Sequence, residues 1–167
     1  MAEVEIERKF LVTGDAWRDD VTQTLSLRQG YLPSDGEHTV RVRLEDDTGV
    51  ITIKGRRSGA VREHSEATIP AEIAEQMLDR FCARPLIEKR RHLIPAADGL
   101  KWEIDEFLGE NAGLVLAEIE LPDETATFER PEWLGADVTD DGRYYNARLA
   151  REPYTEWSTD SGPPGSR

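Results

Sequence analysis

Charged residues of one sign recur two positions apart along this chain: Glu5 with Glu7, Arg41 with Arg43, Lys89 with Arg91, Glu103 with Asp105, and Glu118 with Glu120. Lys9, Lys54, Arg62 and Glu66 stand in similar alternating surroundings. Converging arginines and lysines bind a polyanion, and arginine adds bidentate contacts. Clustered carboxylates bind a hard divalent cation such as Mg²⁺ or Mn²⁺. A polyphosphate with its metal uses both sets together, which requires carboxylates on one part of a wall and cations on the rest.

A repeat of two is the repeat of a β-strand, so the elements that position these residues are strands. Alternation of apolar and polar residues predicts them at Glu3–Val12, Thr24–Leu32, His38–Glu45, Gly49–Gly55, Ala60–Ile69, Ile87–Pro95, Leu100–Phe107 and Gly113–Leu121. Turn formers separate many of them, among them Pro33-Ser34-Asp35-Gly36, Asp46-Asp47-Thr48-Gly49 and Ala97-Asp98-Gly99. Pro70 precedes a run of helical apolar spacing and predicts a helix over Ala71–Phe81. Further helical segments are expected at Arg130–Leu134 and Tyr144–Ala150. From Trp157 to Arg167 the composition turns to Ser, Gly, Pro and Asp, which reads as a flexible tail after a single domain over residues 1–156. The fold class is mainly β (α+β): a closed eight-stranded antiparallel barrel, with a mid-chain helix and C-terminal helices. Closure removes the exposed edges of such a sheet.

The faces of these strands divide cleanly. Val4, Ile6 and Phe10 lie opposite Glu5, Glu7 and Lys9; Val40, Val42 and Leu44 opposite Arg41 and Arg43; Ile51 and Ile53 opposite Lys54. Trp102 and Ile104 oppose Glu103 and Asp105, and Val115, Ala117 and Ile119 oppose Glu118 and Glu120. A charged strand face usually points to solvent. Like charges two residues apart repel unless something compensates, however, and a one-sided sheet normally exposes a mixed face. The alternative is a charged, wet lumen with the apolar face outward, covered by helices or by a second copy of the chain. In that arrangement Glu5, Glu7, Glu66, Glu103, Asp105, Glu118 and Glu120 balance Lys9, Arg41, Arg43, Lys54, Arg62, Lys89 and Arg91, so the formal net charge of -13 resides elsewhere. That net charge excludes a general nucleic-acid binder, which needs a basic surface.

The 167 residues suffice for one domain with its own core. No apolar stretch is long enough to span a membrane, and the acidic start lacks the features of a signal peptide. The single cysteine, Cys82, forms no internal disulfide and sits in an apolar-periodic segment, where packing is its expected role. Together these features point to a cytoplasmic protein.

Glu5-Ile6-Glu7-Arg8-Lys9 resembles the E-x-E-x-K signature of CYTH proteins, the triphosphate tunnel metalloenzymes. The resemblance continues in order through Gln29-Gly30-Tyr31-Leu32, Thr39-Val40-Arg41-Val42-Arg43, Ile51-Thr52-Ile53-Lys54-Gly55, Lys89-Arg90-Arg91, Trp102-Glu103-Ile104-Asp105 and Leu116-Ala117-Glu118-Ile119-Glu120. It ends with Asp137-Val138-Thr139-Asp140 and Arg143-Tyr144-Tyr145-Asn146, and so covers roughly Glu3 to Ala150.

The resemblance implies an eight-stranded tunnel that hydrolyses or cyclises a triphosphate with a divalent metal, Mg²⁺ or Mn²⁺. By position, Glu5, Glu7, Glu118 and Glu120 look like the metal carboxylates. Asp105 joins that set as an acidic lumen position open to a metal, a water or a basic neighbour, and Glu66 is of the same kind. Lys9, Arg41, Arg43, Lys54, Lys89 and Arg91 look like the triphosphate cradle, with Arg62 of the basic set beside them. Catalysis is expected from Glu7, Glu120, Lys54 and Tyr31; Tyr31 matches a position that works beside the lysine in some relatives, and is equally an aromatic at a strand end. His64 departs from the pattern, since many relatives carry Glu there. The leading expectation is hydrolysis of inorganic triphosphate to diphosphate and phosphate. The alternatives are a class IV adenylate cyclase, a thiamine triphosphatase, for which the outward Trp102 is a poor platform, and a non-catalytic polyphosphate-binding module.

Overall fold

A computed structural model describes residues 3–34, 36–58 and 60–157 of the chain. The described residues form nine antiparallel strands: β1 (Glu3–Val12), β2 (Gln23–Leu32), β3 (Thr39–Glu45), β4 (Thr48–Ser58), β5 (Val61–Ile69), β6 (Ile87–Pro95), β7 (Lys101–Phe107), β8 (Val115–Glu120) and β9 (Leu134–Asp137). Helix α1 (Ala71–Arg80) follows β5, and the short α2 (Asn146–Leu149) follows β9. The sheet runs β5-β4-β3-β2-β6-β7-β8-β1-β9, and β5 also pairs with β1. That last pairing closes eight strands into a barrel and leaves β9 as an addition to its wall.

β1 forms the seam. Its residues Glu3 to Ile6 pair with β5, Glu7 to Leu11 with β8, and Phe10 and Val12 with β9. The eight barrel strands lie where the alternation predicts them. The ninth does not: Arg130–Leu134, expected as helix, holds only a turn in which Leu134 N–H donates to the Pro131 carbonyl at 3.0 Å. Pro131 biases Arg130 toward extended backbone, and Trp133 drops against Trp102, with ring centroids 5.4 Å apart. The chain then reaches the edge of β1 that β5 leaves open, and pairs there.

The apolar core lies largely outside the barrel wall. Phe10, Ile94, Trp102, Ile104, Ala117 and Ile119 point outward from β1, β6, β7 and β8, and Trp17, Phe128 and Trp133 pack over them. α1 buries Ala74 and Leu78 against Val42 and Leu44; each fully buried Leu contributes about 1.5–3 kcal/mol. The approach is close enough to require glycine at Gly49, where a Cβ would stand 2.8 Å from that of Ala74. Cys82 is buried in this cluster, consistent with a packing role. Beyond α1, Val4 and Ile53 remain 57% and 47% exposed on the outer face.

A third cluster closes one end of the barrel. There the inward positions turn apolar: Ile87, Phe107 and Leu116 pack with Tyr144, Leu149 and Val138 of the C-terminal segment. Trp157 continues this cap, with its ring 5.3 Å from Tyr144 and 5.0 Å from Tyr154. The rest of the expected tail, residues 158–167, lies outside the described residues. No helix among the described residues is long and apolar enough to cross a membrane.

A charged tunnel as the candidate functional site

The inward faces of the strands enclose a cavity of about 640 Å³, within the usual size of a small-molecule site. The lumen arrangement is the one the chain adopts. Glu5 and Glu7 of β1, Glu103 of β7, and Glu118 and Glu120 of β8 line one part of the wall. Arg41 and Arg43 of β3, Lys54 of β4, Arg62 of β5 and Arg91 of β6 line much of the remainder.

The acidic wall is built from like charges set face to face. Glu7 is directly opposite Glu120 across the β1–β8 ladder, and Glu103 directly opposite Glu118 across β7–β8. Such pairs repel unless a cation stands between them. Burial raises the Glu120 carboxyl above its ordinary range, and Glu5, Glu103 and Glu7 push it the same way. Glu5 moves oppositely: burial alone would raise it, but Lys54, whose ammonium stands 2.8 Å away, outweighs burial and lowers it. Lys9 contacts Glu118 at 3.2 Å and donates to the Tyr144 carbonyl at 3.1 Å.

The basic wall holds cations in a dry place. Arg43 is 8% exposed, and burial, with Arg41 and Arg91 nearby, draws its guanidinium down to about 10. The Nε groups of both Arg41 and Arg43 are buried without an acceptor, and an orphaned charged donor is costly unless a ligand completes it. Arg41 donates to the Thr52 hydroxyl at 3.3 Å, which donates to Glu66 at 3.2 Å. Arg62 donates to the Gly55 carbonyl at 2.7 Å and to the Thr39 hydroxyl at 2.8 Å. The surplus cationic charge of this wall suits an anion.

Two expected site residues stand behind the wall rather than on it. Lys89 and Asp105 are each 1% exposed and meet at 2.7 Å. Arg91 grips the same carboxylate with two bonds of 2.8 Å, and Lys89 also donates to Asn146 at 3.0 Å. Burial alone would raise Asp105, but Arg91 and Lys89 outweigh it and hold the carboxyl far below its ordinary range. Both its oxygens accept from Lys89 and Arg91, and it does not line the cavity beside the other carboxylates expected to hold metal. Lys89, expected in the phosphate cradle, likewise does not line the cavity. With Lys89 and Asp105 set aside, the strands present six carboxylates and six cations to the cavity.

Tyr31 lines the cavity and accepts a hydrogen bond from Gln29 at 3.3 Å. Burial raises its phenol, so it meets a ligand as a neutral hydroxyl. His64 faces inward, with Nδ1 4.0 Å from Glu5. The segment after β9 supplies residues that the strand pattern did not reveal: Tyr145, Asn146, Arg148 and Arg151 also line the cavity. The signal for them was partial: the resemblance runs through Asn146, and Arg148 and Arg151 follow it closely in sequence.

The carboxylate set fits a divalent cation in chemistry. Four side chains, Glu5, Glu7, Glu118 and Glu120, offer hard oxygen donors, and the raised Glu120 and the opposed Glu7–Glu120 pair are what a cation would relieve. Among the described residues no three His, Cys, Asp or Glu side chains are gathered tightly enough to hold a metal in their present positions. Glu5 and Glu118 of this set are instead paired with Lys54 and Lys9.

The CYTH domain model matches residues 3–148. An inorganic triphosphatase of Acetivibrio thermocellus is 47% identical over 150 residues, covering 90% of this chain and 95% of that protein. An inorganic triphosphatase of Nitrosomonas europaea is 36% identical over 150 residues, covering 87% and 96%. The crystal structure of the inorganic triphosphatase NE1496 superposes with a TM-score of 0.63 at 33% identity, covering 87% of this chain and 93% of that one.

Proposed function

The chain belongs to the CYTH domain family, and from that membership and the tunnel geometry we propose that it hydrolyses inorganic triphosphate to diphosphate and phosphate with the help of a divalent metal. The observation that carries this reading is the division of the lumen: opposed carboxylates on one part of the wall, arginines with buried, orphaned Nε groups on another. Both relatives are inorganic triphosphatases, which supports the same substrate.

Glu5, Glu7, Glu118 and Glu120 would hold the metal. Bound there, Mg²⁺ or Mn²⁺ would supply Lewis-acid polarisation of the phosphoryl oxygens. Arg41, Arg43, Arg62 and Arg91 offset charge on those oxygens, and their burial makes each contact stronger than in water. Lys54 has two partners to choose between. Moving its ammonium from Glu5 to phosphate frees the Glu5 carboxylate, so substrate entry and completion of the acidic set are coupled. Tyr31 donates its hydroxyl to the chain beside Lys54. Water then attacks a terminal phosphorus in line with the bridging oxygen; that P–O bond breaks, and diphosphate leaves with charge that the guanidinium groups stabilise.

The test is incubation with Mg²⁺ or Mn²⁺ and, separately, tripolyphosphate, ATP and thiamine triphosphate, with free phosphate and cyclic AMP measured. Phosphate chiefly from tripolyphosphate is the expected result. Cyclic AMP from ATP would assign a cyclase instead, phosphate chiefly from thiamine triphosphate would assign that substrate, and no product from any of the three would leave a binding module.

A further inference from the structure

The strand-borne charges of the cavity balance, six against six, so the strands alone give a neutral lumen. Arg148 and Arg151 add positive charge at its wall, and they come from the segment that caps one end of the barrel. Behind that segment the inward positions are apolar and filled by Ile87, Phe107, Leu116, Tyr144 and Leu149. The cap is pinned by the barrel's own lysines: Lys9 donates to the Tyr144 carbonyl at 3.1 Å, and Lys89 to Asn146 at 3.0 Å. The Arg151 guanidinium has no hydrogen-bond or ion-pair partner among the described residues, and that of Arg148 keeps only its exposed contact to Glu152 at 2.8 Å. The site therefore ends, on this side, in two available guanidinium groups on a fixed support.

We propose that Arg148 and Arg151 form a subsite for the end of the triphosphate remote from the phosphorus attacked, and so select a triphosphate free at both ends. A nucleoside triphosphate attacked at its free γ end would bring its esterified α-phosphate here. An unesterified end carries two negative charges and three equivalent acceptor oxygens, which suits bidentate guanidinium contacts. An esterified phosphate at this end has one charge fewer and must place its organic group against the cap. Tyr145 is the aromatic at this end that could stack on a base, and the Lys9 ammonium lies 5.5 Å from its ring centroid. Its hydroxyl is also committed to the Thr139 carbonyl at 3.0 Å. This end is thus built for charge rather than for a base.

The proposal rests on the reading of the site as one for inorganic triphosphate, and the experiment separates the two. Steady-state kinetics on tripolyphosphate and ATP would be measured for the unaltered protein, for R148A/R151A and for R148K/R151K, with calorimetric binding of tripolyphosphate and ATP alongside. Losing two charge-assisted contacts should lower kcat/KM for tripolyphosphate at least about tenfold, mainly through KM, while ATP changes less and the preference narrows. The lysine pair should restore part of it. An equal loss on both substrates, or none on either, overturns the subsite, because a general electrostatic effect or an idle pair of arginines would each leave the preference unchanged. If the unaltered protein hydrolyses no tripolyphosphate, the activity reading fails by itself. The calorimetric ratio then decides the subsite: narrowing in R148A/R151A upholds it, and an unchanged ratio overturns it.

Discussion

Two ion pairs on the inward strand faces have nearly the same length and opposite settings: Lys89–Asp105 stands behind the lumen wall and Lys54–Glu5 on it. Lys89 meets Asp105 at 2.7 Å with both side chains 1% exposed; Lys54 meets Glu5 at 2.8 Å with both 14% exposed. Bond length does not distinguish them. Burial and the number of partners do. Asp105 gives both oxygens to Lys89 and Arg91, so that cluster is closed and holds the wall in place. Glu5 has one close ammonium, on a strand that faces the cavity, so that pair is the one the proposed phosphate and metal would exchange. Ion pairs in a charged tunnel therefore divide into those that make the tunnel and those that the ligand takes apart.

The largest expected effect would break the closed cluster. Asp105→Ala leaves two buried cations without their carboxylate and should cost about 3–5 kcal/mol of stability, read as a fall in the urea midpoint. Lys54→Ala opens the exchangeable pair and should cost about 1 kcal/mol or less. Equal losses in the two variants would erase the distinction.

The next effect falls on turnover. Glu7→Ala and Glu120→Ala should each lower metal-dependent hydrolysis by about 10²–10³ or more, the scale of removing one well-placed electrostatic contact from an active site. Their melting temperatures should hold or rise, because each removes half of an opposed like-charge pair. Full activity in either variant would refute the metal assignment.

The smallest effect is a pH dependence, and it sharpens the comparison because the two walls titrate in opposite senses. Asp105 is depressed in the fold, so its contribution is complete above the ordinary carboxylate value of about 3.9 and is lost as pH falls below it, where the unfolded chain takes up the proton first. Glu120 is raised, so the folded state binds its proton more tightly; its contribution opposes folding at neutral pH and is relieved as pH falls toward the ordinary range. Melting curves from pH 7 to pH 3 should show a steeper acid loss in Glu120→Gln than in the unaltered protein, and a shallower one in Asp105→Asn. Parallel curves for all three would remove both assignments.

Much of this was legible in the residues. Period-two alternation placed the eight barrel strands to within a few residues and assigned charged and apolar faces correctly, because a buried outer face leaves little freedom of register. It could not rank positions along a face. Glu103 and Asp105 share a type and a repeat, yet Glu103 meets the cavity and Asp105 lies behind it, since depth depends on where the cap and the neighbouring strands end. Leu134–Asp137 escaped notice because Leu-Gly-Ala-Asp carries almost no alternation, and the edge it joins exists only once the barrel has closed. Arg148 and Arg151 were not singled out as site residues because α2 spans only Asn146–Leu149, too short to carry a pattern.

The seam at β1 has a consequence for how the protein is made. β1 leaves the ribosome ahead of β5, β8 and β9, and those are the strands it must pair with. Until they arrive, an alternating strand with open edges waits unpaired, the kind of segment that chaperones shield and that joins other chains. Glu7 and Glu120 come together only across this late, long-range pairing, so the proposed metal wall cannot exist on a partly synthesised chain. Contacts between such distant segments are slow to form, and a protein assembled in this order acquires its fold and its chemistry in the same closing event.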